Sequence, residues 1–158
     1  MWLHLVRANP VFAALAESPR VLLSVADDWA FIPSSWKVIG DEDPALGIPT
    51  TYYGAVQLAG TATVHDERTH PGSVAAILRR QLAAFQPDVA VADPAVSHAA
   101  KLLGILGIEV RVEHVSAKFK YGGNVDEPHR RAVVDHLHER GGPGDDDAAD
   151  HVVRRLEG

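Results

Sequence analysis

Two basic segments, one at the start of the chain and one far downstream, could bind an anion. In the first, His4 and Arg7 precede Asn9 and Pro10 at the point where a short apolar strand turns into a helix. Asparagine is a favoured N-cap and proline suits the first helical position. The free helix amides and the two basic side chains are therefore expected close together, which suits a phosphate. In the second segment, Lys118 and Lys120 alternate along a strand and share one of its faces.

Each of these candidates also has an ordinary structural explanation. Lys118 and Lys120 could hold a phosphate together with Arg7, or they could form the solvated face of a sheet. Trp36, like Trp29, could stack on a planar ligand or pack in a core or a dimer interface. Three hydroxyl groups could bind a ligand or simply cap turns and strand ends next to prolines. They belong to Ser34, Thr50 and Tyr52.

Composition restricts the function classes. The 158 residues, 46% hydrophobic and 23% charged, suit one globular domain with a real core. A net charge of -6 argues against a surface devoted to nucleic acid, so any DNA contact would be local. The lack of cysteine excludes disulfides, thiolate metal sites and cysteine nucleophiles. Neither a long apolar run nor a signal-peptide pattern occurs, so we predict no membrane span and a cytoplasmic location.

Nine histidines raise the question of a metal or haem site. His136 and His138 lie two residues apart on a predicted helix and therefore face different directions. No His-x-x-x-His or carboxylate-histidine pattern occurs, so we predict no metal site. His4 is the histidine best placed for a functional role, although a structural histidine bonded to backbone carbonyls explains it equally well.

Apolar periodicity along the chain predicts an α+β fold. Helices are predicted at residues 11–18, 74–85, 99–106, 127–140 and, after a polar linker, 148–156. Strands are predicted at residues 21–25 and 29–32, joined as a hairpin by Asp27 and Asp28, and at 52–64 and 108–121.

The last predicted strand changes the parity of its apolar residues near Glu113 and His114. Val110 and Val112 are apolar at even positions, whereas the apolar residues from 115 to 119 are at odd ones: Val115, Ala117 and Phe119. A bulge or corner there would help a sheet to close into a barrel. The face opposite Phe119 would carry His114, Ser116, Lys118 and Lys120.

Five segments resemble, in the same order, the PaiB-like FMN-binding negative transcriptional regulators. They are residues 4–10, 30–36, 48–56, 105–110 and 117–120 with Asn124. The resemblance implies a split β-barrel with peripheral helices, related to the pyridoxamine-phosphate-oxidase type of flavoprotein. It also implies a homodimer with FMN at the subunit interface. By position, it implies ten cofactor-binding residues: His4, Arg7, Asn9, Ser34, Trp36, Thr50, Tyr52, Lys118, Lys120 and Asn124.

The chain departs from the family pattern in three places. The family's first barrel strands would precede Met1, so we expect an exposed sheet edge that a partner, a second copy or a rearranged element covers. The family's Trp-Asn pair is Thr51 and Tyr52 here, and its Ser-Gln pair before Asn124 is replaced by residues 122–123, both glycine. These departures weaken the expectation of bound FMN and make a cofactor-free relative an alternative.

The resulting prediction is a split-barrel domain at residues 1–140, followed by a polar linker and a short helix at 141–158. The predicted function is an FMN-binding protein, acting as a transcriptional regulator of the PaiB type. A flavin-dependent oxidoreductase and a cofactor-free interaction protein are the alternatives, and enzymatic activity is left open. His129, Arg130 and Arg131 form a basic helical cluster, which could contact DNA or be a solvated helix face.

Overall fold

The computed structural model describes residues 1–156, which form four strands and six helices. In chain order they are β1 Trp2–Val6, α1 Val11–Glu17, β2 Arg20–Ile32, β3 Thr50–His65, α2 Ser73–Phe85, α3 Pro94–Ser97, α4 Ala99–Leu102, β4 Ile105–Lys120, α5 Glu127–Arg140 and α6 Asp145–Arg154. Two 3-10 turns, Ser34–Lys37 and Pro44–Leu46, separate β2 from β3. The strands form one sheet in the order β1-β4-β3-β2. The predicted α+β class is confirmed.

The predicted hairpin at Asp27 and Asp28 is wrong, because residues 20–32 form one strand. Asp28 adopts a positive φ of 50° within that strand, a conformation that aspartate tolerates better than most residues. The Asp27 carboxylate accepts a hydrogen bond from the Asp28 amide at 3.0 Å. The turn-forming residues therefore produce a local irregularity in β2, and the chain does not reverse direction.

The predicted helix at residues 99–106 is also too long. Its C-terminal part belongs to β4, where Ile105 pairs with Val6 and Leu106 with Leu5 of antiparallel β1. Pairing with a neighbouring strand satisfies both the amides and the carbonyls of these residues and outweighs their helical periodicity. Of the remaining residues, Ala99–Leu102 form the short helix α4, and a second short helix, α3 at Pro94–Ser97, precedes it outside the predicted range.

The chain divides into two compact units, and the first comprises residues 1–23 and 58–115. Its main core is built on Ala62, Ile108 and Val110, against which apolar side chains of β1 and α1 pack. A second cluster, with Val74 and Leu102, lies under α2. The strands β3 and β4 approach closely at Gly60, where an added Cβ would lie 2.2 Å from the Arg111 carbonyl oxygen.

The second unit comprises residues 24–57 and 116 onward. Its core joins β2, β3 and the end of β4 to α5 and α6, and its fully buried side chains include Ile32, Tyr52, Tyr121, Val133, Leu137 and Val152. The helix α6 begins three residues before the predicted one. It turns Ala148, Ala149 and Val152 into the core and keeps Asp146, Asp147 and Asp150 exposed.

The corner between α5 and α6 covers part of the edge of β2, which is an outer strand of the sheet. Arg140 Nη1 donates to the Phe31 carbonyl oxygen at 2.9 Å. Gly144, with a φ of 82°, packs so closely on Trp29 that an added Cβ would lie 2.6 Å from its carbonyl oxygen. An unpaired strand edge promotes unwanted pairing with other chains. At this point the edge is protected by the chain's own C-terminal helices.

The C-terminal half of β4 is more exposed than the sequence predicts. The parity of Val115, Ala117 and Phe119 predicts that they face a core, but residues 111–120 are exposed on both faces. Val115 and Phe119 retain 56% and 53% of their accessible surface. Alternation fixes which side chains share a face, but burial also requires an element packed over that face.

Candidate functional site

The basic residues at the β1–α1 junction are engaged with neighbours in the first unit. Arg7 donates to both oxygens of Asp66, at 2.7 and 2.6 Å, and to the carbonyl oxygen of Leu103 at 3.0 Å. The bidentate pair holds the pKa of Asp66 well below its usual range. Arg7 is therefore the structural partner of a carboxylate on the β3–α2 connection.

His4 and Asn9 also have local partners. His4 Nδ1 lies 2.7 Å from Gln81 Oε1 of α2. The Asn9 side chain accepts a hydrogen bond from the Val11 amide at 3.0 Å, although Pro10, one residue later than predicted, is the N-cap residue of α1. The first unit thus uses its three predicted anion-binding residues to fasten β1, α1 and α2.

A cluster of lysines in the second unit has a different character. Lys120 Nζ donates to Thr50 Oγ1, joining the end of β4 to the start of β3. Lys37 lies at the end of the first 3-10 turn, and its pKa is lowered by burial and, to a smaller extent, by the positive charge of Lys120. This unit contains three of the chain's four lysines, namely Lys37, Lys118 and Lys120.

Lys118 lies beside an aromatic ring on the neighbouring strand. Its Nζ is 5.9 Å from the centre of the Tyr53 ring, within range of a weak cation–π contact. Both residues line a surface cavity of about 260 Å³, whose other walls are Ala55, Gln57, Ser116 and Ala117. Small-molecule sites usually measure roughly 300–1,000 Å³. The cavity of a single chain is therefore shallow and encloses little of a ligand.

The electrostatics of the lysine cluster favour an anion. Within residues 1–156, no carboxylate forms a salt bridge with Lys37, Lys118 or Lys120. Two neighbouring ammonium groups repel each other, and a bound anion would remove that repulsion. Lysine ammonium groups beside a hydroxyl are donors of the kind that bind phosphate. We call Lys37, Thr50, Lys118 and Lys120 the lysine cluster.

Two other predicted residues, Ser34 and Trp36, are used in packing. The ring of Trp36 stacks on His136 at 5.1 Å, and the Arg140 guanidinium lies 4.5 Å from its centre. Ser34 begins the first 3-10 turn, and its carbonyl oxygen abuts Gly47. The Trp36 side chain and the Ser34 backbone therefore help to hold the segment that carries Lys37.

Tyr52 and Asn124 complete the predicted set. Tyr52 is buried and meets the Tyr121 ring edge to face at 6.1 Å, and burial raises the pKa of its phenol. Its hydroxyl has no hydrogen-bond partner within the part of the chain that the structure describes. Asn124 is exposed in the turn between β4 and α5. The structure thus brings Thr50 and Lys120 into contact and leaves Tyr52 beneath the surface.

Two residues of the candidate site are absent from the predicted set: Lys37, a member of the lysine cluster, and Tyr53, which lies beside Lys118. Lys37 directly follows the segment 30–36, and Tyr53 directly follows Tyr52, so both adjoin predicted residues. No spacing rule links position 37 to position 120, because tertiary folding creates their proximity. Strand alternation places Tyr53 on the face of β3 opposite to that of the buried Tyr52.

Among residues 1–156, no helix has the length and apolarity needed to cross a membrane.

The comparison with curated proteins gives no match. Two solved structures are similar to the chain. The flavocytochrome Anf3 from Azotobacter vinelandii has 20% identity and a TM-score of 0.51, over 83% of this chain and 55% of that one. The FAD and heme binding protein from Mycobacterium smegmatis has 19% identity and a TM-score of 0.48, over 83% and 58%.

The chain therefore spans just over half the length of these two proteins. At such identities, the likeness to the flavocytochrome shows the fold alone, in agreement with the predicted split-barrel type. A family model described as "Putative FMN-binding domain" matches residues 1–114, which include Lys37 and Thr50 and end before Lys118. Since this match covers well over half of the 158 residues, the chain belongs to the FMN-binding domain family.

Proposed function

We propose that the chain binds FMN and that Lys37, Lys120 and Thr50 hold the phosphate. The observation that carries the proposal is the contact of Lys120 with Thr50, in a unit where neither Lys120 nor Lys37 has a carboxylate partner among the described residues although the chain has a net charge of -6. Membership of the FMN-binding domain family supports the choice of cofactor. A phosphate monoester carries a charge of about -1.5 to -2 at neutral pH, which two ammonium groups would balance.

The residues of the second unit fit the two chemically different parts of FMN. The ammonium groups and the Thr50 hydroxyl suit the phosphate, and the hydrogen bond from Lys120 to Thr50 orients that ammonium group. The Tyr53 ring and the neighbouring apolar wall of the cavity suit a planar ring system. When bound, FMN would supply hydride or electron transfer, while these side chains would hold it in place.

We further propose that a second copy of the chain completes the site. Large apolar side chains of β2 and β4 in the second unit are exposed by about half or more, namely Val25, Trp29, Phe31 and Phe119. Exposed apolar patches with aromatic residues are characteristic of protein interfaces. A homodimer would bury such side chains, and a second copy placed over Tyr53 and Lys118 would deepen the shallow cavity.

Two roles are open to an FMN-binding protein of this kind, redox chemistry and DNA binding, and the charges of α5 argue against the second. Two of the three basic side chains in the α5 cluster are paired with carboxylates, because Arg131 pairs with Glu127 at 2.6 Å and His129 contacts both Asp126 and Glu42. Phosphate contacts require available cations. A transcriptional regulator of the PaiB type is the alternative role, and salt-dependent binding to a defined DNA site would support it.

A fluorescence titration of the full chain with FMN tests the proposal. Lys37→Ala and Lys120→Ala should each weaken binding about fivefold, because a partly exposed charge-assisted hydrogen bond contributes about 1 kcal/mol. Lys101→Ala provides the control, since this exposed lysine lies on α4 in the first unit. Equal affinities for all four proteins, or no saturable binding by the folded wild type, would contradict the proposed function.

A further inference from the structure

The segment between Lys37 and Thr50 is a compact loop whose two ends belong to the lysine cluster. Its base is closed where Gly47 lies against Ser34, so closely that an added Cβ would sit 2.0 Å from the serine carbonyl oxygen. The second 3-10 turn, Pro44–Leu46, lies within the loop. Compact loops with adjacent ends commonly carry function. Any contact that holds this loop will therefore affect where Lys37 and Thr50 lie.

One histidine links the loop to α5. His129 Nε2 lies 2.9 Å from Glu42 Oε2, and its Nδ1 lies 2.8 and 2.9 Å from the two oxygens of Asp126. The same Glu42 oxygen accepts a hydrogen bond from the Ile39 amide at 3.0 Å. Asp126 caps α5 by accepting from the His129 amide at 3.2 Å. The imidazole thus bridges a fixed helix end and the loop.

The two contacts of this bridge depend on a proton. A protonated imidazole donates from both nitrogens, so it satisfies both carboxylates, whereas a neutral ring donates from only one. Asp126 on its own helix and Glu42 on the loop are the charged groups that face His129, and both raise its pKa above the ordinary value of 6.5. His129 in turn lowers the pKa of Asp126 and Glu42.

The pH dependence of the bridge follows from the directions of these pKa shifts. The contribution of a group whose pKa is raised is complete below its ordinary value and is lost as the pH rises through the raised value. The contributions of the two carboxylates are present above their ordinary pKa values of 3.8 and 4.5 and are lost on acidification. The bridge is therefore strongest in weakly acidic solution and weakens in alkaline solution.

We propose that His129 and Glu42 form a proton-dependent clamp on the loop, which positions Lys37 and Thr50 for anion binding. The affinity for FMN then falls when the imidazole loses its proton. This inference rests on the proposed function, because it concerns the regulation of the same site. His129 is a positioning residue in this scheme, since it acts on the phosphate through the loop.

The first measurement is the affinity for FMN between pH 6 and pH 9 for the wild type and His129→Gln. The ratio of the two affinities removes the ionisation of the FMN phosphate itself, which occurs near pH 6. At pH 6 the wild type should bind up to about fivefold more tightly, as expected for a partly exposed ion pair. The two proteins should converge at pH 9. His138→Gln, at an exposed position of the same helix, should follow the wild type.

The second measurement needs no FMN. Hydrogen exchange of the Ile39 amide reports on the loop directly, because this amide donates to Glu42. Its protection should decrease between pH 6 and pH 9 in the wild type and should be low throughout in His129→Gln. Protection that ignores both pH and His129 would overturn the clamp, whether or not FMN binds. If the protection of the Ile39 amide changes with pH and with His129 as predicted but FMN does not bind, the proposed function is refuted and so is the link between the loop and anion affinity.

Discussion

Asp145 offers the sharpest test of how the C-terminal helices are held in place. Its carboxylate is 2% exposed and accepts hydrogen bonds from Arg140 at 2.7 and 2.5 Å and from the Gly142 amide at 2.8 Å. In Asp145→Asn, the amide oxygen can keep the contacts of Oδ2, but the NH₂ group then faces the Arg140 Nη2 donor. One charge-assisted bond is lost and two donors oppose each other.

The expected loss of unfolding free energy is about 1.5–3 kcal/mol, the range for hydrogen bonds to charged groups. The loss is not larger, because Arg140 is 34% exposed and can be solvated in the variant. For a protein of this size, the melting temperature should fall by roughly 3–12 °C. Urea unfolding followed by circular dichroism measures the free-energy change. Asp146→Asn, at the adjacent exposed aspartate of α6, should change it by less than about 0.5 kcal/mol.

The pH dependence of this difference provides a second test. Arg140 lowers the pKa of Asp145 below its ordinary value of 3.8. The stabilisation by a carboxylate with a lowered pKa is present above that ordinary value and is lost as the pH falls through the lowered one. The gap between wild type and Asp145→Asn should therefore be constant from pH 5 to pH 8 and shrink below about pH 4. Equal stabilities of the two asparagine variants at pH 7 would refute the reasoning.

Two further predictions concern strand packing and association. Gly60→Ala should lower the free energy of unfolding by about 1–3 kcal/mol, because the new methyl group would collide with the Arg111 carbonyl. Gly104→Ala, where the nearest atom leaves room for a methyl group, should change it little. Urea unfolding measures both. Trp29→Ser should weaken the proposed homodimer by about 2 kcal/mol or more in sedimentation experiments, because exposed tryptophans are frequent interface anchors. Phe85→Ser, at an exposed position in the first unit, should leave association unchanged. An unchanged dimer in Trp29→Ser would place the interface elsewhere.

Local signals predicted the helix α5 almost completely. Its predicted bounds, 127–140, follow from Asp126 as a favoured cap, Pro128 in the first turn and the glycines at 141–142 as a stop. The structure has the helix at Glu127–Arg140, with the Asp126 carboxylate bonded to the His129 amide and Gly141 at a φ of 56°. Capping and glycine termination act between residues that are neighbours in sequence, so a sequence contains them in full.

Features that depend on distant segments could not be predicted in the same way. Asp27 and Asp28 have turn chemistry, but pairing with β3 keeps β2 extended through them. Alternation placed Lys118 and Lys120 on one strand, whereas the contact of Lys120 with Thr50, 70 residues away in sequence, depends on the pairing of β4 with β3. Arg7 illustrates the opposite case, because Asp66, 59 residues away in sequence, takes up its charge.

The most direct test of the central claim compares FMN with riboflavin, which lacks the phosphate. If the lysine cluster holds the phosphate, the wild type should bind FMN at least about tenfold more tightly at low salt, and the preference should decline as salt is added. The double variant Lys37→Ala, Lys120→Ala should bind the two ligands nearly equally while remaining folded. Equal affinities in the wild type, or a preference for FMN that persists in the double variant, would contradict the account.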